Sequence, residues 1–352
     1  MANPFKYRAD HVGKLIVDTT LQQARDQLAA GSIDNAVLQK AEDTSIEESL
    51  SMQVGSGIDI FSDGQLRRED YLAALREAGA DSHQLALVAQ SQAVTLDREI
   101  AFLKGAVKSG NVKSGYKLSV VSPGYMVGQA YRVLPADEAK TTAQAITEKL
   151  VPIVRGQLQA LAAAKVPYIQ LENPSYGYLL ATSNHAQLKE KGVDPAQVFD
   201  AVLSADLAAL ESVERPESSI FALQLCKGAR EPWYRSEGHD VFAQKLFSSL
   251  PVDRFNIDYG DASIAKADDF QALQFIPEGK VVSLGLINAA STALENADDI
   301  MDRLDEADEV LEQDNLAVCI QGDFSKHQDI TLQSEKLKLA GVVARRYWGF
   351  EM

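Results

Sequence analysis

The chain has 352 residues, of which 46% are hydrophobic, and a formal net charge of −16 at pH 7. This length suffices to bury a large core, whereas the acidic balance argues against nucleic-acid binding, which needs a basic surface. No stretch approaches the roughly 18 apolar residues of a membrane span and no hydrophobic signal core opens the chain, so we expect a cytoplasmic protein without a membrane or nucleic-acid partner.

Short apolar, β-branched segments recur along the chain, with helix-like stretches between them. Buried parallel strands read as continuous apolar runs, and their alternation with helices implies right-handed crossovers. Eight such units predict a single (β/α)8 TIM barrel over residues 1–352. The predicted strands are His11–Val17, Ile58–Asp63, Lys117–Pro123, Tyr168–Asn173, Ile220–Cys226, Arg254–Tyr259, Val281–Asn288 and Leu316–Asp323.

Apolar residues at helical spacing predict helices between these strands. The predicted helices are Leu21–Leu28, Ala36–Gly55, Leu66–Ala78, Pro135–Ala164, Pro195–Val213, Asp240–Leu250 and Leu332–Trp348, together with an acidic helix around Asp298–Glu309. The longest interval between strands predicts an insertion around residues 79–115, in which the mixed pattern of Gln84–Phe102 favours a hairpin or lid at the barrel mouth.

Polar side chains at the ends of the predicted strands are the candidate site, because TIM barrels place their active sites at the C-terminal strand ends. We expect catalytic roles for Glu172, Asp258, Cys226 and His11. The expected substrate-binding residues are Lys14, Asp63, Gln65, Ser122, Asn173, Tyr176, Gln224, Asn288, Gln321 and Asp323.

Several of these residues have a structural alternative. A carboxylate such as Glu172 at a barrel mouth is costly to desolvate, so it either binds a cation, moves a proton or forms a structural ion pair. Asp63 either caps the following helix or lines the pocket, where Arg67 or Arg68 would bind a substrate carboxylate. Cys226 is either a reactive thiolate beside a lysine or an inert buried side chain.

The metal-binding and redox signals are sparse. The only cysteines are Cys226 and Cys319, which offer no disulfide framework, and this favours a reducing compartment. No HxH, HxC or HExxH motif occurs, which argues against a histidine-rich metal site.

Several ordered motifs resemble the cobalamin-independent methionine synthase family, specifically its C-terminal catalytic barrel and the short stand-alone relatives of that domain. The motifs span nearly the whole chain, at Phe5–Gly13, Ser62–Arg68, Tyr168–Pro174, Gly279–Leu286 and Ala344–Gly349. Together they are specific for the superfamily but not for methionine synthesis.

The resemblance implies a zinc site that this chain has largely lost. The family holds zinc with a His-x-Cys pair, a glutamate and a second cysteine, and the zinc activates the homocysteine thiol toward the methyl group of methyltetrahydrofolate. Carried onto this sequence, the pair falls on Gln224 and Cys226, the glutamate on Asp258 and the second cysteine on Gly322. Cys226 and Asp258 remain as metal candidates, so we expect zinc to be loosely bound or absent.

The amino-acid pocket that the resemblance implies is changed as well. Lys14 stands in place of a serine, Gln65 in place of a glutamate and Glu172 in place of the aspartate that would meet the amino group. An acid and a histidine of the full-length enzymes fall on Asn288 and Ala290. The first two exchanges make the local charge more positive by two units, which would repel an ammonium group and attract a carboxylate or phosphate.

Three functions follow as hypotheses. The first is a methyl, alkyl or related group transferase acting on a small polar molecule, with an anionic group favoured and literal homocysteine methylation not expected. The second is a metal-free lyase, decarboxylase or hydrolase that uses carboxylate acid–base chemistry. The third is a non-catalytic ligand-binding barrel. The sequence carries no signal for a particular oligomeric state.

Overall fold

A computed structural model describes residues 7–68, 96–110, 115–181, 183–225, 240–260 and 267–349. Within these residues, eight parallel strands form one sheet in the order β1-β8-β7-β6-β5-β4-β3-β2. The strands are β1 Ala9–His11, β2 Ile60–Ser62, β3 Gly115–Val121, β4 Tyr168–Glu172, β5 Ile220–Gln224, β6 Arg254–Asp258, β7 Val281–Asn288 and β8 Leu316–Gln321.

The sheet nearly closes on itself where β1 meets β2. The Asp59 backbone N–H donates to the Ala9 carbonyl at 3.1 Å. The Asp59 Oδ2 atom accepts from the backbone N–H groups of Arg8 and Ala9, at 2.7 and 2.8 Å. The Asp59 carboxylate thus replaces part of the hydrogen-bonded ladder between β1 and β2, the two shortest strands. The predicted (β/α)8 barrel is confirmed.

Helices alternate with the strands. They are α1 Thr19–Ala29, α2 Asn35–Ser56, α3 over residues 96–108, α4 Pro123–Val133, α5 Ala136–Ala163, α6 Ser175–Leu180, α7 Ser183–Glu190, α8 Pro195–Leu210, α9 Asp240–Ser249, α10 Ala297–Asp308 and α11 Ile330–Trp348. Short 3-10 turns lie at Ala267–Phe275, Gln313–Asn315 and Phe324–Lys326. In the described part of the chain, no helix has the length and apolarity needed to cross a membrane.

Local sequence signals explain where many helices begin and end. The Asp18 and Asp34 side chains accept the N–H groups of Leu21 and Val37, and so cap α1 and α2. Helices α2 and α11 end at Gly57 and Gly349, both in the left-handed conformation that glycine adopts most readily.

The first predicted strand was wrong in its bounds. The structure pairs Ala9–His11 with β8, and after a last bond from the Val12 N–H to the Ile320 carbonyl, residues 13–17 leave the barrel wall. There the N–H of Leu15 donates to the Gly64 carbonyl, and that of Ile16 donates to the side chain of Gln333 on α11. The apolar residues after His11 therefore pack against the turn at Gly64 and against α11, instead of extending the hydrogen-bonded ladder with β8.

The predicted insertion falls only partly on described residues. Residues 96–108 form α3, so the hairpin expected over Gln84–Phe102 is wrong for its last part, while residues 84–95 lie outside the described residues. The helix predicted from Leu66 does not begin there, because residues 64–67 form a turn, and its remainder lies outside the described residues from position 69.

The strands divide the molecule into an apolar shell and a polar interior. Side chains alternate across each strand, so Ile169 and Leu171 of β4 join the large core beneath the helices, while Gln170 and Glu172 face inward. A small apolar cluster lies at the N-terminal end of the barrel, formed by Tyr7, Ile60, Tyr168, Ile220 and Ala222. Above it the interior is polar, whereas TIM barrels usually fill this space with branched apolar side chains.

Candidate active site at the barrel mouth

A buried ion pair lies in the middle of the barrel. The Lys117 Nζ atom on β3 is 2.6 Å from Asp10 Oδ1 on β1, and both side chains are almost fully excluded from solvent. Asp10 also accepts from the Tyr168 hydroxyl at 3.0 Å and from the His11 backbone N–H at 2.7 Å. Opposite charge and saturated hydrogen bonding offset the cost of burying both ions. Despite its burial, Lys117 and Arg254 hold the pKa of Asp10 below its usual value.

Gln170 connects this ion pair to the mouth. Its Oε1 atom accepts from Lys117 Nζ and from Asn256 Nδ2, each at 3.2 Å. Its Nε2 atom donates to the Val12 carbonyl and to Glu172 Oε1, each at 3.3 Å. The amide therefore joins two charged groups from two layers of the barrel.

Glu172 ends β4 and is the central carboxylate of the mouth. Its Oε1 atom accepts from Gln65 Nε2 at 2.6 Å as well as from Gln170. None of the described residues donates a hydrogen bond to its Oε2 atom. The structure thus brings together the predicted residues Glu172 and Gln65, which lie 107 positions apart in the chain.

A second ion pair supports the Gln65 side of the mouth. Gln65 Nε2 also donates to Ser119 Oγ at 3.0 Å, and Arg68 Nη1 donates to the same oxygen at 3.3 Å. The Arg68 guanidinium makes a bidentate pair with Glu99 of α3, at 2.9 and 2.7 Å. Because Glu99 occupies this fork, Arg68 is not presented as a bidentate clamp for a substrate carboxylate.

Asp63 is buried beside this pair. Its Oδ1 atom accepts the Gln65 backbone N–H at 3.0 Å, in a turn rather than at a helix start. Burial, together with the nearby Glu99 charge, raises the pKa of Asp63 to about 7, although Arg68 acts in the opposite direction. Lys14 lies close by, with its Nζ atom donating to the Arg68 carbonyl at 3.0 Å.

The β5–β8 side of the mouth carries the remaining strand-end candidates. Gln224 is buried at the end of β5, and Asp258 Oδ1 accepts the Gly260 backbone N–H at 2.7 Å. The Gln321 side chain is 1% exposed, and neither its nitrogen nor its oxygen has a hydrogen-bond partner among the described residues. Gln321 packs against Gly285, where an added Cβ would lie 1.8 Å from Gln321 Cγ.

Two further candidates hydrogen-bond to the backbone of the loops that follow β7 and β8. Asn288 Oδ1 accepts the Ala290 backbone N–H at 2.9 Å. Asp323 Oδ1 accepts the Ser325 backbone N–H at 2.8 Å and begins a 3-10 turn.

Three predicted substrate-binding residues instead surround Asp206, a fully buried carboxylate on α8. Its Oδ1 atom accepts from the Ser122 hydroxyl and from the Gly124 backbone N–H. Its Oδ2 atom accepts from Asn173 Nδ2 at 2.7 Å and from the Tyr176 hydroxyl at 2.9 Å. The structure thus groups Ser122, Asn173 and Tyr176 in a buried clamp between strand ends and a helix, and not with Glu172.

His11 is likewise separated from the mouth. Its side chain points from β1 toward α2, with Nε2 lying 3.3 Å from Gln53 Oε1 and 3.5 Å from Ser62 Oγ. Burial, with a further contribution from the Lys117 charge, lowers the pKa of His11 to about 3. The imidazole is therefore neutral at physiological pH and packs behind the barrel wall.

The described donors do not fit the zinc site that the resemblance implies. Gln224 offers an amide, Asp258 a carboxylate and Gly322 no side chain, whereas structural zinc prefers thiolate and imidazole. In the described part of the chain, no cluster of three or more His, Cys, Asp or Glu residues is placed to hold a metal. Cys226 lies outside the described residues. Cys319 lies deeper in the barrel, where burial and the nearby Asp10 charge raise the pKa of its thiol well above the usual value.

The sequence did not point to Ser119, Lys117 and Gln170, the polar side chains that support Glu172, nor to the pairing of Arg68 with Glu99. The signal was present as alternation within the strands, where every second residue of Lys117–Ser119 and Tyr168–Glu172 is polar. The continuous apolar pattern of a buried strand draws attention only to its last residues, which leaves the inward-facing positions within the strand unidentified. Asp206 had no such signal, because it lies within a helix, away from any strand end in the sequence.

Comparisons with known proteins agree with this architecture. No protein-family model matches the chain. Two Bacillus subtilis (strain 168) proteins that bear the name uncharacterized protein are similar in sequence. YxjG is 24% identical over 365 residues, covering 96% of this chain and 93% of its own length. YxjH is 25% identical over 358 residues, covering 95% and 91%.

Two solved structures share the fold over nearly their whole length. The putative vitamin-B12 independent methionine synthase from Listeria monocytogenes has a TM-score of 0.70 at 22% identity, covering 99% of this chain and 100% of that chain. The B12-independent methionine synthase from Shewanella sp. W3-18-1, in complex with selenomethionine, has a TM-score of 0.65 at 16% identity, covering 99% and 96%. The chain therefore has the fold of the cobalamin-independent methionine synthase-like proteins, and the resemblance inferred from its motifs is confirmed at the level of the fold.

Proposed function

We propose that this chain is a divergent methionine-synthase-like enzyme that transfers a methyl, alkyl or related group to or from a small polar molecule. The observation that carries the proposal is the arrangement of Glu172 at the barrel mouth. Two amides hold its Oε1 atom, and its Oε2 atom takes no donor from the described residues. A carboxylate held in this way is poised to bind a substrate donor group or to accept a proton.

The neighbouring side chains indicate the kind of molecule that the mouth accepts. The Arg68 charge is balanced by Glu99. Lys14 Nζ lies beside the turn that carries Gln65, where it donates to the Arg68 carbonyl. Across the barrel, Gln321 holds a buried amide without a partner among the described residues. These features favour a small polar substrate with hydrogen-bonding groups.

The proposed chemistry does not pass through a thiolate zinc centre. The positions matching the family's ligands include an amide at Gln224 and a glycine at 322, which supply neither thiolate nor imidazole. The same observation favours a second candidate, a metal-free lyase, decarboxylase or hydrolase in which Glu172 and Asp258 perform acid–base work. In both cases Glu172 is the residue on which activity depends.

A methyl-transfer screen tests the first proposal. The purified protein is incubated with ¹³C-methyl-labelled methyltetrahydrofolate and a panel of small thiols, amines and carboxylic acids that includes homocysteine, and labelled products are identified by mass spectrometry. We expect transfer to a small polar acceptor, a loss of about 100-fold or more in Glu172→Gln, and no loss in Glu148→Gln. Glu148 lies on the exposed face of α5 and serves as the matched control.

Two outcomes would contradict the proposal. Equal rates in Glu172→Gln and the wild-type protein would remove Glu172 from the mechanism. Release of carbon dioxide, or addition or loss of water, without any methyl acceptor in the panel reacting would favour the second candidate.

A further inference from the structure

Lys117 uses every hydrogen that its ammonium group can donate. Its three acceptors are Asp10 Oδ1 at 2.6 Å, Gln170 Oε1 at 3.2 Å and the His11 carbonyl. An ammonium group has three donors and no acceptor, so the side chain is saturated. Each group that contacts the Lys117 ammonium must therefore present an acceptor atom to it, including the Gln170 amide.

This requirement fixes which way the Gln170 amide faces. Its oxygen meets two donors, the Lys117 ammonium and Asn256 Nδ2, and its nitrogen meets two acceptors, the Val12 carbonyl and Glu172 Oε1. In the flipped orientation, all four contacts would join donor to donor or acceptor to acceptor. Unsatisfied groups at this depth are costly, so a single orientation is populated.

We infer that Lys117 is a positioning residue that acts through the Gln170 amide to hold the Glu172 carboxylate in place as a hydrogen-bond acceptor. The Gln170 nitrogen, oriented by Lys117, donates to Glu172 Oε1, and Gln65 Nε2 donates to the same oxygen. With Oε1 held twice, rotation of the carboxylate is restricted, and Oε2, which takes no donor from the described residues, is left for the substrate. The inference rests on the proposed function only in taking Glu172 as the functional carboxylate.

Asp10 and Tyr168 complete the support from below. Asp10 holds Lys117 by charge, and the Tyr168 hydroxyl donates to the second Asp10 oxygen at 3.0 Å. A continuous hydrogen-bonded path therefore runs from β1 through β3 to the end of β4. Each step joins a donor to an acceptor, so a change at Lys117 is transmitted to a carboxylate that it does not touch.

A triple-mutant box tests this transmission. Lys117→Met, Gln170→Met and Glu172→Gln are combined in all eight ways, and the unfolding equilibrium of each protein is measured in urea. With Gln170 present, we expect the Lys117 and Glu172 substitutions to be non-additive by about tenfold in the unfolding equilibrium constant. In the Gln170→Met background we expect them to be additive. Additivity in both backgrounds, or equal coupling in both, would overturn the inference.

Neutron diffraction on the wild-type protein gives a test that needs no variant, because Lys117→Met leaves Asp10 buried without its partner and can prevent folding. We expect two deuterons on the Gln170 atom that faces Glu172 and three on Lys117 Nζ. Deuterons on the Gln170 atom that faces Lys117 would overturn the inference.

The transfer assay supplies the functional readout. Gln170→Met is expected to lower kcat about tenfold or more with a smaller change in KM, and to have no further effect in the Glu172→Gln background. The matched control is Lys245→Met, which breaks a half-exposed pair with Asp200 at 2.6 Å between α9 and α8, outside the barrel interior, and should leave kcat unchanged. If the wild-type protein shows no turnover, the proposed function fails, while the mutant box and the neutron structure still decide the role of Lys117.

Discussion

The Asp206 clamp offers a sharp prediction of stability. Asp206 is fully buried and accepts four hydrogen bonds, from Ser122, Gly124, Asn173 and Tyr176. In Asp206→Asn, one acceptor oxygen becomes an NH₂ group. The hydroxyl donors can turn to accept from it, but the Gly124 backbone N–H cannot, and Asn173 cannot because its own oxygen already accepts the Ser175 N–H.

Whichever way the new amide faces, two N–H groups are therefore left facing each other in the core. A buried donor without a partner costs about 1–3 kcal/mol, and the remaining bonds lose the assistance of the negative charge. We expect a loss of about 3 kcal/mol in the free energy of unfolding. With roughly 2.1 cal/mol/K of unfolding entropy per residue over 352 residues, this corresponds to about 4 °C in Tm.

Urea and thermal unfolding at pH 8, followed by circular dichroism, measure this loss. The matched control is Asp200→Asn on the same helix, which removes a half-exposed carboxylate paired with Lys245. We expect the control to lie within about 0.5 kcal/mol of the wild-type protein. If Asp206→Asn were no less stable than Asp200→Asn, the clamp would not stabilise the fold, and Ser122, Asn173 and Tyr176 would be free to bind substrate.

Three further predictions concern the mouth. The folded-state pKa of Asp63, about 7, lies above its value in the unfolded chain, so its contribution to stability is present below about pH 4 and is lost as the pH rises to 7. The slope of this loss is at most about 1.4 kcal/mol per pH unit in the free energy of unfolding, and Asp63→Asn should remove it. Parallel pH profiles of the free energy of unfolding for the two proteins would refute this prediction. Gln321→Met should leave stability unchanged or raise it by about 1 kcal/mol because it removes a buried amide without a partner among the described residues, and a loss above 1 kcal/mol in urea would contradict this. Gly285→Ala should cost about 1–3 kcal/mol through its collision with Gln321, and Gln321→Ala should restore most of that loss in thermal unfolding.

The barrel was predictable because its signals are local and repeated. Apolar segments such as Val281–Asn288 and Leu316–Gln321 contain enough β-branched residues to stand out, and the helices between strands show their own spacing. The bounds of β1 were not predictable in this way. The apolar run after His11 leaves the wall because it bonds to Gly64 and Gln333, which are distant in sequence.

The candidate site was predictable only where position along a strand decides the role of a residue. Glu172 and Gln65 come together because both end or follow strands of one barrel. Ser122 and Asn173 also follow strand ends, but alternation turns them toward Asp206, and the position of that carboxylate depends on how α8 packs. Packing between helices is not encoded in any local pattern, so this distinction required the structure.

We propose that group transfer on this barrel depends on Glu172 and not on a thiolate-bound zinc ion. The most direct test is elemental analysis of the purified, untagged protein, combined with turnover of the same preparation before and after chelation and repeated on Cys226→Ser. We expect far less than one zinc per chain and turnover that survives chelation in both proteins. Stoichiometric zinc that is lost in Cys226→Ser, with turnover lost alongside it, would contradict the claim.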